Sequence, residues 1–242
     1  MPAAVIMAGG RSSRMRATYG PEHKALVEVL GVSLLERNLT GLIVQGFDDV
    51  TIAVAASEGT IHEWARSRGQ DLAASTGARL TLYLEEEPLG TIGALGAIST
   101  TGATVVVNVD NLSAIDLGAF LREHEASGAA MSVAVHVERF SIPFGEVRVA
   151  DGCVVEYSEK PERSLLISSG TYVLGRTACE QIGSGRRCNV PELVRSLNTR
   201  GGRVHAFKHD SPWIDVNDAA GVARAEALVA RHADRFSPAA VK

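Results

Sequence analysis

The chain is poor in cysteine and in aromatic residues, and it has no long hydrophobic run. Its 242 residues include three cysteines, without a Cys-x-x-Cys pair or a histidine at metal-ligand spacing, which argues against a disulfide scaffold and a zinc site. No apolar run approaches the ~18 residues of a membrane-spanning helix. The first ten residues, MPAAVIMAGG, lack the basic flank of a secretion signal. We therefore expect a soluble, cytoplasmic protein with no membrane partner.

Charge of one sign is not in excess either. Lysine and arginine number 24 against 28 acidic residues, which gives a formal net charge of −4. Because nucleic acids attract basic surfaces, this balance argues against a nucleic-acid partner. Hydrophobic residues make up 45% of the chain, enough to fill a sizeable core at this length, so a disordered chain is excluded.

The first half of the chain alternates apolar runs with helix signals. The runs are continuous, as in strands buried on both faces, and this indicates a doubly wound, mostly parallel α/β sheet. The predicted elements are strands at 3–7, 50–55, 80–84 and 104–109, with helices after the capping boxes at Ser33 and Thr60, at 90–98 and from Asp116 to Gly128.

The pattern changes near residue 128. A hairpin at 145–157, closed by Asp151-Gly152, and short strands near 131–137, 171–174 and 204–207 predict a mixed or antiparallel half. Helices are expected at 191–198 and 219–232. Since no flexible linker divides the chain, we predict one domain, with a nucleotide-binding half at about 1–128 and a second half at about 129–242.

A glycine-rich loop follows the first strand, in the sequence Ala8-Gly9-Gly10-Arg11-Ser12-Ser13-Arg14. Two glycines allow close backbone approach to an anion, and Arg14 adds a guanidinium suited to phosphate. A plain tight turn explains the loop equally well. The motifs GxxxxGK[ST] and GxGxxG are both absent. Lys24, an ordinary surface residue by itself, shares this polar stretch with Arg14, so both are candidates for one triphosphate.

The segment Glu85-Glu-Glu-Pro-Leu-Gly90-Thr91 is a candidate base site. Gly90 and Thr91 allow a base to pack against the backbone, and a carboxylate accepts hydrogen bonds from a base edge that presents donors. Guanine presents two such donors, N1–H and N2–H, on one edge. An acidic run is otherwise a solvated surface, and that reading stays open.

Two carboxylates are candidates for Mg²⁺. Asp110 ends the apolar strand at 104–109, at the sheet edge where doubly wound proteins bind ligands. Mg²⁺ takes one or two carboxylates together with substrate phosphates. Asp215, in Trp213-Ile-Asp215, follows a late apolar segment and offers a second carboxylate. A turn or N-cap role for Asp110 carries equal weight.

In this order, the motifs resemble those of the sugar-1-phosphate nucleotidyltransferases, and most closely the mannose-1-phosphate guanylyltransferase-like members. The resemblance covers residues 3 to about 230 and implies the nucleotide-diphospho-sugar transferase fold. The segments that carry it are Gly9-Gly10, Arg14, Lys24, Pro88 to Gly93, Asp110, Phe144-Gly145, Glu159-Lys160-Pro161, Gly170-Thr-Tyr172 and Trp213-Ile-Asp215.

The resemblance implies transfer of a nucleotidyl group, with GTP favoured, from a nucleoside triphosphate to a sugar-1-phosphate. It also implies Mg²⁺ as cofactor, and we expect a homodimer. The implied roles are phosphate binding by Ala8, Gly9, Gly10, Arg14 and Lys24, base binding by Glu85, Gly90 and Thr91, Mg²⁺ binding by Asp110 and Asp215, sugar binding by Gly145, Glu159, Ser169 and Gly170, and sugar-phosphate binding by Lys160.

Four positions depart from the family pattern: His23, Val109, Ser169 and Asn217. Val109 stands where a small residue is common, so we expect it to crowd the ribose. A nucleotide-binding homologue without turnover therefore stays open as an alternative. So does transfer to a cyclitol phosphate, a phosphorylated alcohol or the molybdenum cofactor, whose guanylyltransferases share the Arg-Ser-Ser-Arg-Met loop.

Overall fold

A computed structural model of the chain describes residues 3–9, 23–98 and 102–236. The strands are β1 (Ala3–Met7), β2 (Glu28–Val29), β3 (Val32–Ser33), β4 (Asp49–Ala55), β5 (Arg79–Glu85), β6 (Thr104–Asn108), β7 (Asn111–Ser113), β8 (Met131–Ser141), β9 (Glu146–Ala150), β10 (Cys153–Ser158), β11 (Glu162–Leu174), β12 (Val204–Lys208) and β13 (Trp213–Asp215). The helices are α1 (Leu34–Val44), α2 (Gly59–Trp64), α3 (Gln70–Thr76), α4 (Leu117–Ser127), α5 (Arg176–Ile182), α6 (Val190–Thr199), α7 (Ala219–Arg231) and α8 (Ala233–Phe236).

A seven-stranded sheet forms the centre of the protein, in the order β12-β8-β11-β6-β1-β4-β5. Strands β6, β1, β4 and β5 run parallel to one another, and β8 runs parallel to β12. Only β11 is antiparallel to its neighbours β6 and β8. The predicted α/β fold with a mostly parallel sheet and an appended mixed half is therefore confirmed.

Helices cover both faces of this sheet, because its central strands are apolar at consecutive positions. Ile6 and Val107 point to one face, where they pack in a core with Phe120 of α4. Val5 and Val106 point to the other face. Burying both faces explains why these strands lack the polar alternation of a half-exposed sheet.

Two local helix predictions were wrong. The helix near residue 60 begins at Gly59 without a side-chain cap from Thr60, and it continues through a π turn (Ala65–Gly69) into α3. The segment 90–98 holds only a short 3-10 turn, Gly93–Gly96. Its backbone bonds instead to the loop before α6: Ile92 N donates to Cys188 O (3.2 Å), and Cys188 N donates to Leu89 O (2.8 Å).

The outer ends of β8 and β11 leave the sheet and pair only with each other. This ribbon, residues 136–141 with 162–167, continues into the antiparallel hairpin of β9 and β10. Asp151 and Gly152 both adopt positive φ (49° and 77°), as the predicted type I′ turn requires.

Within the part of the chain that the structure describes, no helix has the length and apolar character needed to span a membrane.

We predict that Phe120→Ala lowers the free energy of unfolding by about 3–5 kcal/mol, the usual cost of truncating a buried aromatic side chain. Phe120 is fully buried, and its ring stacks on Phe207 of β12 with centroids 4.7 Å apart. Urea unfolding followed by circular dichroism measures the change. Phe144→Ala is the control, because Phe144 is 74% exposed; a loss as large as that of Phe120→Ala would contradict the packing described.

Candidate active site

The carboxyl ends of β1 and β6 meet at one edge of the sheet, and a cleft opens there. Since the two strands are parallel neighbours, the residues that follow them lie side by side: Val109 N donates to Met7 O (3.1 Å). The cleft is a cavity of about 330 Å³, lined by Met7, Gly9, Lys24, Pro88, Gly90, Thr91, Asn108, Asp110 and Asn189. The sequence-predicted residues Gly9, Lys24, Gly90, Thr91 and Asp110 thus line one cavity.

Lys24 and Asp110 form an ion pair across this cleft. Both side chains are largely buried, with 17% and 14% of their surfaces exposed. The preceding residue, His23, is buried and caps the turn Lys24–Leu26. Its Nδ1 accepts a hydrogen bond from Ala25 N (3.1 Å). The histidine therefore stiffens the start of this turn by a side-chain cap.

Glu85 lies directly beneath Gly9 and is only 2% exposed, so it does not line the cavity. Its Oε2 accepts from Leu89 N (3.2 Å), whereas its buried Oε1 has no hydrogen-bond partner among residues 3–9, 23–98 and 102–236. Burial raises the pKa of this carboxyl, and the bond from Leu89 opposes that rise. A Cβ at position 9 would sit 2.8 Å from Glu85 Oε2, so only glycine lets the two segments approach this closely.

The segment from Gly90 to Thr91 is tied to the first turn of α6. Thr91 N donates to Asn189 Oδ1 (3.2 Å), and Val190 N donates to Thr91 Oγ1 (3.0 Å). Asn189 also forms a capping box with Glu192. These bonds hold the wall of the cavity in place, and they bring Asn189 into its lining.

Asp215 reaches the same edge from the second half of the chain. Strand β13 pairs antiparallel with β7, with Asp215 opposite Asn111, and Val216 N donates to Asp110 O (2.9 Å). The backbones of Asp110 and Asp215 are thus neighbours. Asn217 donates to Asp215 through its side-chain amide. Two carboxylates carried by neighbouring backbone segments, with hard oxygen donors, suit Mg²⁺ when substrate phosphates complete the shell. The described residues contain no group of three or more His, Cys, Asp or Glu that could hold a metal by themselves.

Ser169 and Gly170 lie at a bulge in β11, next to β6. Gly170 has a φ of +68°, and a Cβ there would collide with the side-chain amide of Asn111. Ser169 is fully buried, and its carbonyl accepts a hydrogen bond from Trp213 Nε1 (2.7 Å). The bulge therefore connects the predicted sugar-site glycine with the strand that carries Asp215.

The remaining predicted sugar-site residues belong to the hairpin region and do not line the 330 Å³ cavity. Glu159 and Lys160 are exposed, and Lys160 has a φ of +45°. Tyr157 donates from its hydroxyl to Glu159 Oε2 (3.2 Å), and its ring lies against Gly145. Their roles stay predictions. Ala8 is buried beside the cleft, and Gly10 and Arg14 lie outside the residues that the structure describes.

Val109 does not face the cleft, contrary to the expectation that it crowds a ribose. Its side chain is fully buried in the core on the side of Ile6 and Val107. Its carbonyl accepts from Asn38 Nδ2 of α1 (3.1 Å). The reason is the alternation of the chain after β6, which points Val109 inward and turns Asn108 and Asp110 toward the cavity.

Sequence reasoning missed Asn108 and Asn189 as cavity residues. Asn108 occupies the last position of β6, two residues before Asp110, so strand alternation would have placed both on one side. Asn189 begins the sequence Asn-Val-Pro-Glu, a capping-box signal for α6 that was available. Its contact with Thr91, 98 residues earlier in the chain, carried no local signal.

We predict that Gly9→Ala weakens the binding of nucleoside triphosphates by about tenfold or more, because the new Cβ forces Glu85 or the loop to move. Isothermal titration calorimetry with GTP, ATP, CTP and UTP measures the affinity. Gly41→Ala is the matched control, since a Cβ on this residue of α1 meets nothing within 4 Å. Unchanged affinity in Gly9→Ala would remove the Gly9 segment from the nucleotide site.

Comparison with known proteins agrees with this geometry. Residues 3–231 match the family described as Nucleotidyl transferase. Mannose-1-phosphate guanylyltransferase of Mycobacterium tuberculosis is 26% identical over 238 residues, which are 94% of this chain and 64% of that protein. The chain thus spans less than two thirds of that relative. D-glycero-alpha-D-manno-heptose 1-phosphate guanylyltransferase of Aneurinibacillus thermoaerophilus is 25% identical over 219 residues, 88% of this chain and 92% of that protein.

The fold has solved counterparts as well. HddC from Yersinia pseudotuberculosis, crystallised in complex with GMP-PN, superposes with a TM-score of 0.70 at 20% identity, covering 94% of this chain and 99% of that one. At this identity the likeness establishes the fold. Since the family match extends over nearly all of the residues, the chain belongs to the nucleotidyl transferase family.

Proposed function

We propose that this protein transfers a guanylyl group from GTP to a sugar-1-phosphate, forming a GDP-sugar and releasing pyrophosphate. The family match and the two guanylyltransferase relatives support the class of reaction. The observation that carries the proposal is the Lys24–Asp110 pair, which lies in a cavity between the Gly9 segment and the Gly90-Thr91 wall. A cation and a carboxylate inside one cavity support the binding of a triphosphate there.

The chemistry is an attack by a phosphate oxygen of the acceptor on the α-phosphorus of GTP. One phosphorus–oxygen bond forms, the bond to the β-phosphate oxygen breaks, and pyrophosphate leaves with that electron pair. The acceptor needs no protein base, because a phosphate monoester is largely dianionic at neutral pH, with a second pKa of about 6. The main barrier is the repulsion between two anions, so the protein must supply position and positive charge.

Lys24 supplies positive charge at this point. Its ammonium group already lies against Asp110 inside the cavity, and the α-phosphate of GTP would provide it with an alternative anionic partner. His23 and the turn after it fix the lysine backbone, which limits the freedom lost when substrate binds. Arg14 is the second cation that we assign to the triphosphate.

We assign Mg²⁺ to Asp110 and Asp215, whose backbones adjoin through the Val216–Asp110 hydrogen bond. The two carboxylates supply the kind and number of protein ligands that Mg²⁺ takes beside phosphates. When bound, the ion would neutralise charge on the phosphates. Asn217, which departs from the family pattern, donates to the Asp215 carboxylate through its side-chain amide and would help to orient it.

Guanine is the base that the structure favours. Glu85 Oε1 is buried and lacks a hydrogen-bond partner within the described part of the chain, and a buried acceptor of this kind is costly to leave unpaired. The guanine edge offers two donors, N1–H and N2–H. Glu85 lies directly behind Gly9 at the wall of the cavity, so we propose that the base binds at this wall. Gly90 and Thr91 would pack against the base from the opposite wall.

The acceptor is assigned to the second half of the chain. We place the sugar near Gly145, Glu159 and Gly170, with its phosphate on Lys160, while Ser169, which is fully buried, would fix the neighbouring Gly170. The relatives that are named for hexose and heptose phosphates make mannose-1-phosphate and a manno-heptose 1-phosphate the first acceptors to test. We also propose a cytoplasmic location, since the proposed reaction needs GTP and a sugar phosphate.

We also propose that two copies associate through the hairpin and the ribbon. Both elements are only two strands wide, and the stability of a two-stranded structure in water is marginal unless another surface packs against it. Arg148 pairs with Glu156 and Arg163 with Glu146 within one copy, so these charges are neutralised locally beside exposed apolar side chains that would suit a second copy of the same region. The apolar residues, 45–64% exposed, are Val137, Phe140, Val147, Val149, Val154, Val155, Tyr157, Leu165 and Leu166.

We expect the wild-type protein to be a dimer by size-exclusion chromatography with light scattering, and Val149→Lys to be a monomer. The substitution places a charge in the proposed apolar interface, where its desolvation opposes association. Val44→Lys is the control, since Val44 is 44% exposed at the end of α1, away from the hairpin. A monomeric wild type, or a dimeric Val149→Lys variant, would contradict the proposal.

The reaction is tested by measuring pyrophosphate release with GTP, ATP, CTP, UTP and dTTP against hexose, heptose and cyclitol phosphates. We predict release with GTP and a sugar-1-phosphate, and a loss of at least about a hundredfold in Lys24→Ala and in Asp110→Ala. The controls are Lys208→Ala and Asp234→Ala, which remove exposed side chains of the same types. Binding of GTP without turnover on any acceptor would favour a regulator instead.

A further inference from the structure

A buried hydroxyl joins two histidines in the second half of the protein. Ser169 Oγ lies 2.8 Å from His136 Nδ1 and 2.7 Å from His209 Nε2. Ser169 is fully buried, and His136 is 9% exposed. The three residues come from β11, from β8 and from the segment after β12, so these contacts connect three separate parts of the chain.

The protons of this group can be assigned from its surroundings. Ser169 has one hydroxyl proton, so at most one histidine accepts from it, and when this proton is used in the group the other histidine donates to the serine oxygen. His209 Nδ1 and His136 Nε2 are both buried without a hydrogen-bond partner within the described ranges, but His136 Nε2 lies 3.5 Å from a carboxylate oxygen of Glu138, which stabilises a proton there electrostatically. His209 therefore donates through Nε2, Ser169 donates to His136 Nδ1, and the proton of His136 lies on Nε2. Burial, together with nearby His136, lowers the pKa of His209 to about 4, so this ring is neutral at pH 7.

The contacts that run from His209 through Ser169 to His136 end at the carboxylate of Glu138. His136 Nε2 lies 3.5 Å from Glu138 Oε2, and Glu138 is 45% exposed along its side chain. Glu138 lines a second cavity of about 510 Å³, together with Trp213, Ile214, Asp215, Asn217, Asp218 and Arg224. The ring of His136 also packs on Trp213 with centroids 4.4 Å apart. The buried group therefore supports two residues of this cavity, Glu138 and Trp213.

The second cavity adjoins the first one at the carboxylates. Asp215 lines the 510 Å³ cavity and Asp110 the 330 Å³ cavity, and the hydrogen bond from Val216 N to Asp110 O joins the two segments. Strand β8 is parallel to β6, since both are antiparallel to β11. Glu138 follows the last residue of β8 that pairs with β12, and it therefore lies at the same edge of the sheet as Asp110.

We propose that Glu138 binds a hydroxyl group of the acceptor, and that His209, Ser169 and His136 act as positioning residues that hold its carboxylate toward the 510 Å³ cavity. This inference rests on the proposed function and defines the acceptor as a polyhydroxylated phosphate, such as a sugar or cyclitol phosphate. The ionised carboxylate of Glu138 would accept strongly from a hydroxyl donor. Arg224 lies in the same cavity, and no carboxylate of the described residues lies within 4.0 Å of it.

The first test is Glu138→Gln, assayed by steady-state pyrophosphate release with the best acceptor of the screen. We expect the KM for the acceptor to rise about tenfold or more, because a charged hydrogen bond to it is lost, while the KM for GTP changes by less than about twofold. Glu162→Gln is the matched control: Glu162 is an exposed glutamate on the same ribbon that does not line the cavity.

The second test separates positioning from simple packing. The amide of glutamine reaches the place of a histidine Nε2, whereas the amide of asparagine takes the place of Nδ1. His136→Gln therefore keeps a donor toward Glu138, and His136→Asn keeps only the contact with Ser169. If His136 acts through Glu138, His136→Gln retains the acceptor KM better than His136→Asn, and combining either one with Glu138→Gln adds no further loss.

The outcomes distinguish this inference from the proposed function. An active wild type whose acceptor KM is unchanged in Glu138→Gln overturns the inference alone. A rise in the acceptor KM that is equal in Glu138→Gln and Glu162→Gln also overturns it, since the cavity would then not be the cause. A wild type that releases no pyrophosphate with any acceptor overturns the proposed function and this inference together.

Discussion

The ion pair between Lys24 and Asp110 is the contact on which the site depends. It joins the segment after β1 to the end of β6, and it holds a cation inside a cavity. The other lining residues are two glycines, the apolar Met7 and Pro88, and the polar Thr91, Asn108 and Asn189. Inside a protein such a pair interacts more strongly than at the surface, and separating the partners without new ones is costly. Phosphates would pair with the Lys24 ammonium group, and a divalent cation would pair with the Asp110 carboxylate. Binding both would therefore leave neither charge unpaired.

The second constraint is the union of the two halves at β7 and β13. The parallel sheet alone brings together the Gly9 segment and Asp110, whereas Asp215 arrives on a short strand from far along the chain. That strand is held by Trp213, whose indole donates to the carbonyl of Ser169. Ser169 in turn contacts His136 and His209. The first and second parts of the chain are thus connected through buried hydrogen bonds that fix Asp215 relative to the 510 Å³ cavity.

Much of the fold could be predicted because its signals are local. Continuous apolar runs predicted the parallel strands, Asp151-Gly152 predicted the hairpin turn, and Asp116 predicted the start of α4. The helix expected at 90–98 failed because its backbone bonds to residues near Cys188, a contact that no local pattern reveals. Asp110 and Lys24 could be singled out by residue type and order, but their contact could not, since 86 residues separate them.

The departures from the family pattern were the least predictable positions. Val109 was expected at the ribose and lies in the core, because strand alternation continues beyond β6. Ser169 was expected only as a variant next to the sugar-site glycine, yet its hydroxyl is the centre of a buried group. The partners of Ser169 are histidines 33 and 40 residues away, and an isolated serine gives no sign of them. Buried polar groups of this kind need the tertiary structure to be recognised.

The most direct test of the account is the stereochemistry at the α-phosphorus. GTP with sulfur in one defined position on that phosphorus would be converted with the best acceptor, and the configuration of the product would be determined by phosphorus NMR. A single attack by the acceptor phosphate in the Lys24–Asp110 cleft predicts inversion. Retention would mean that the nucleotidyl group passes through a covalent bond to the protein, and it would contradict the mechanism.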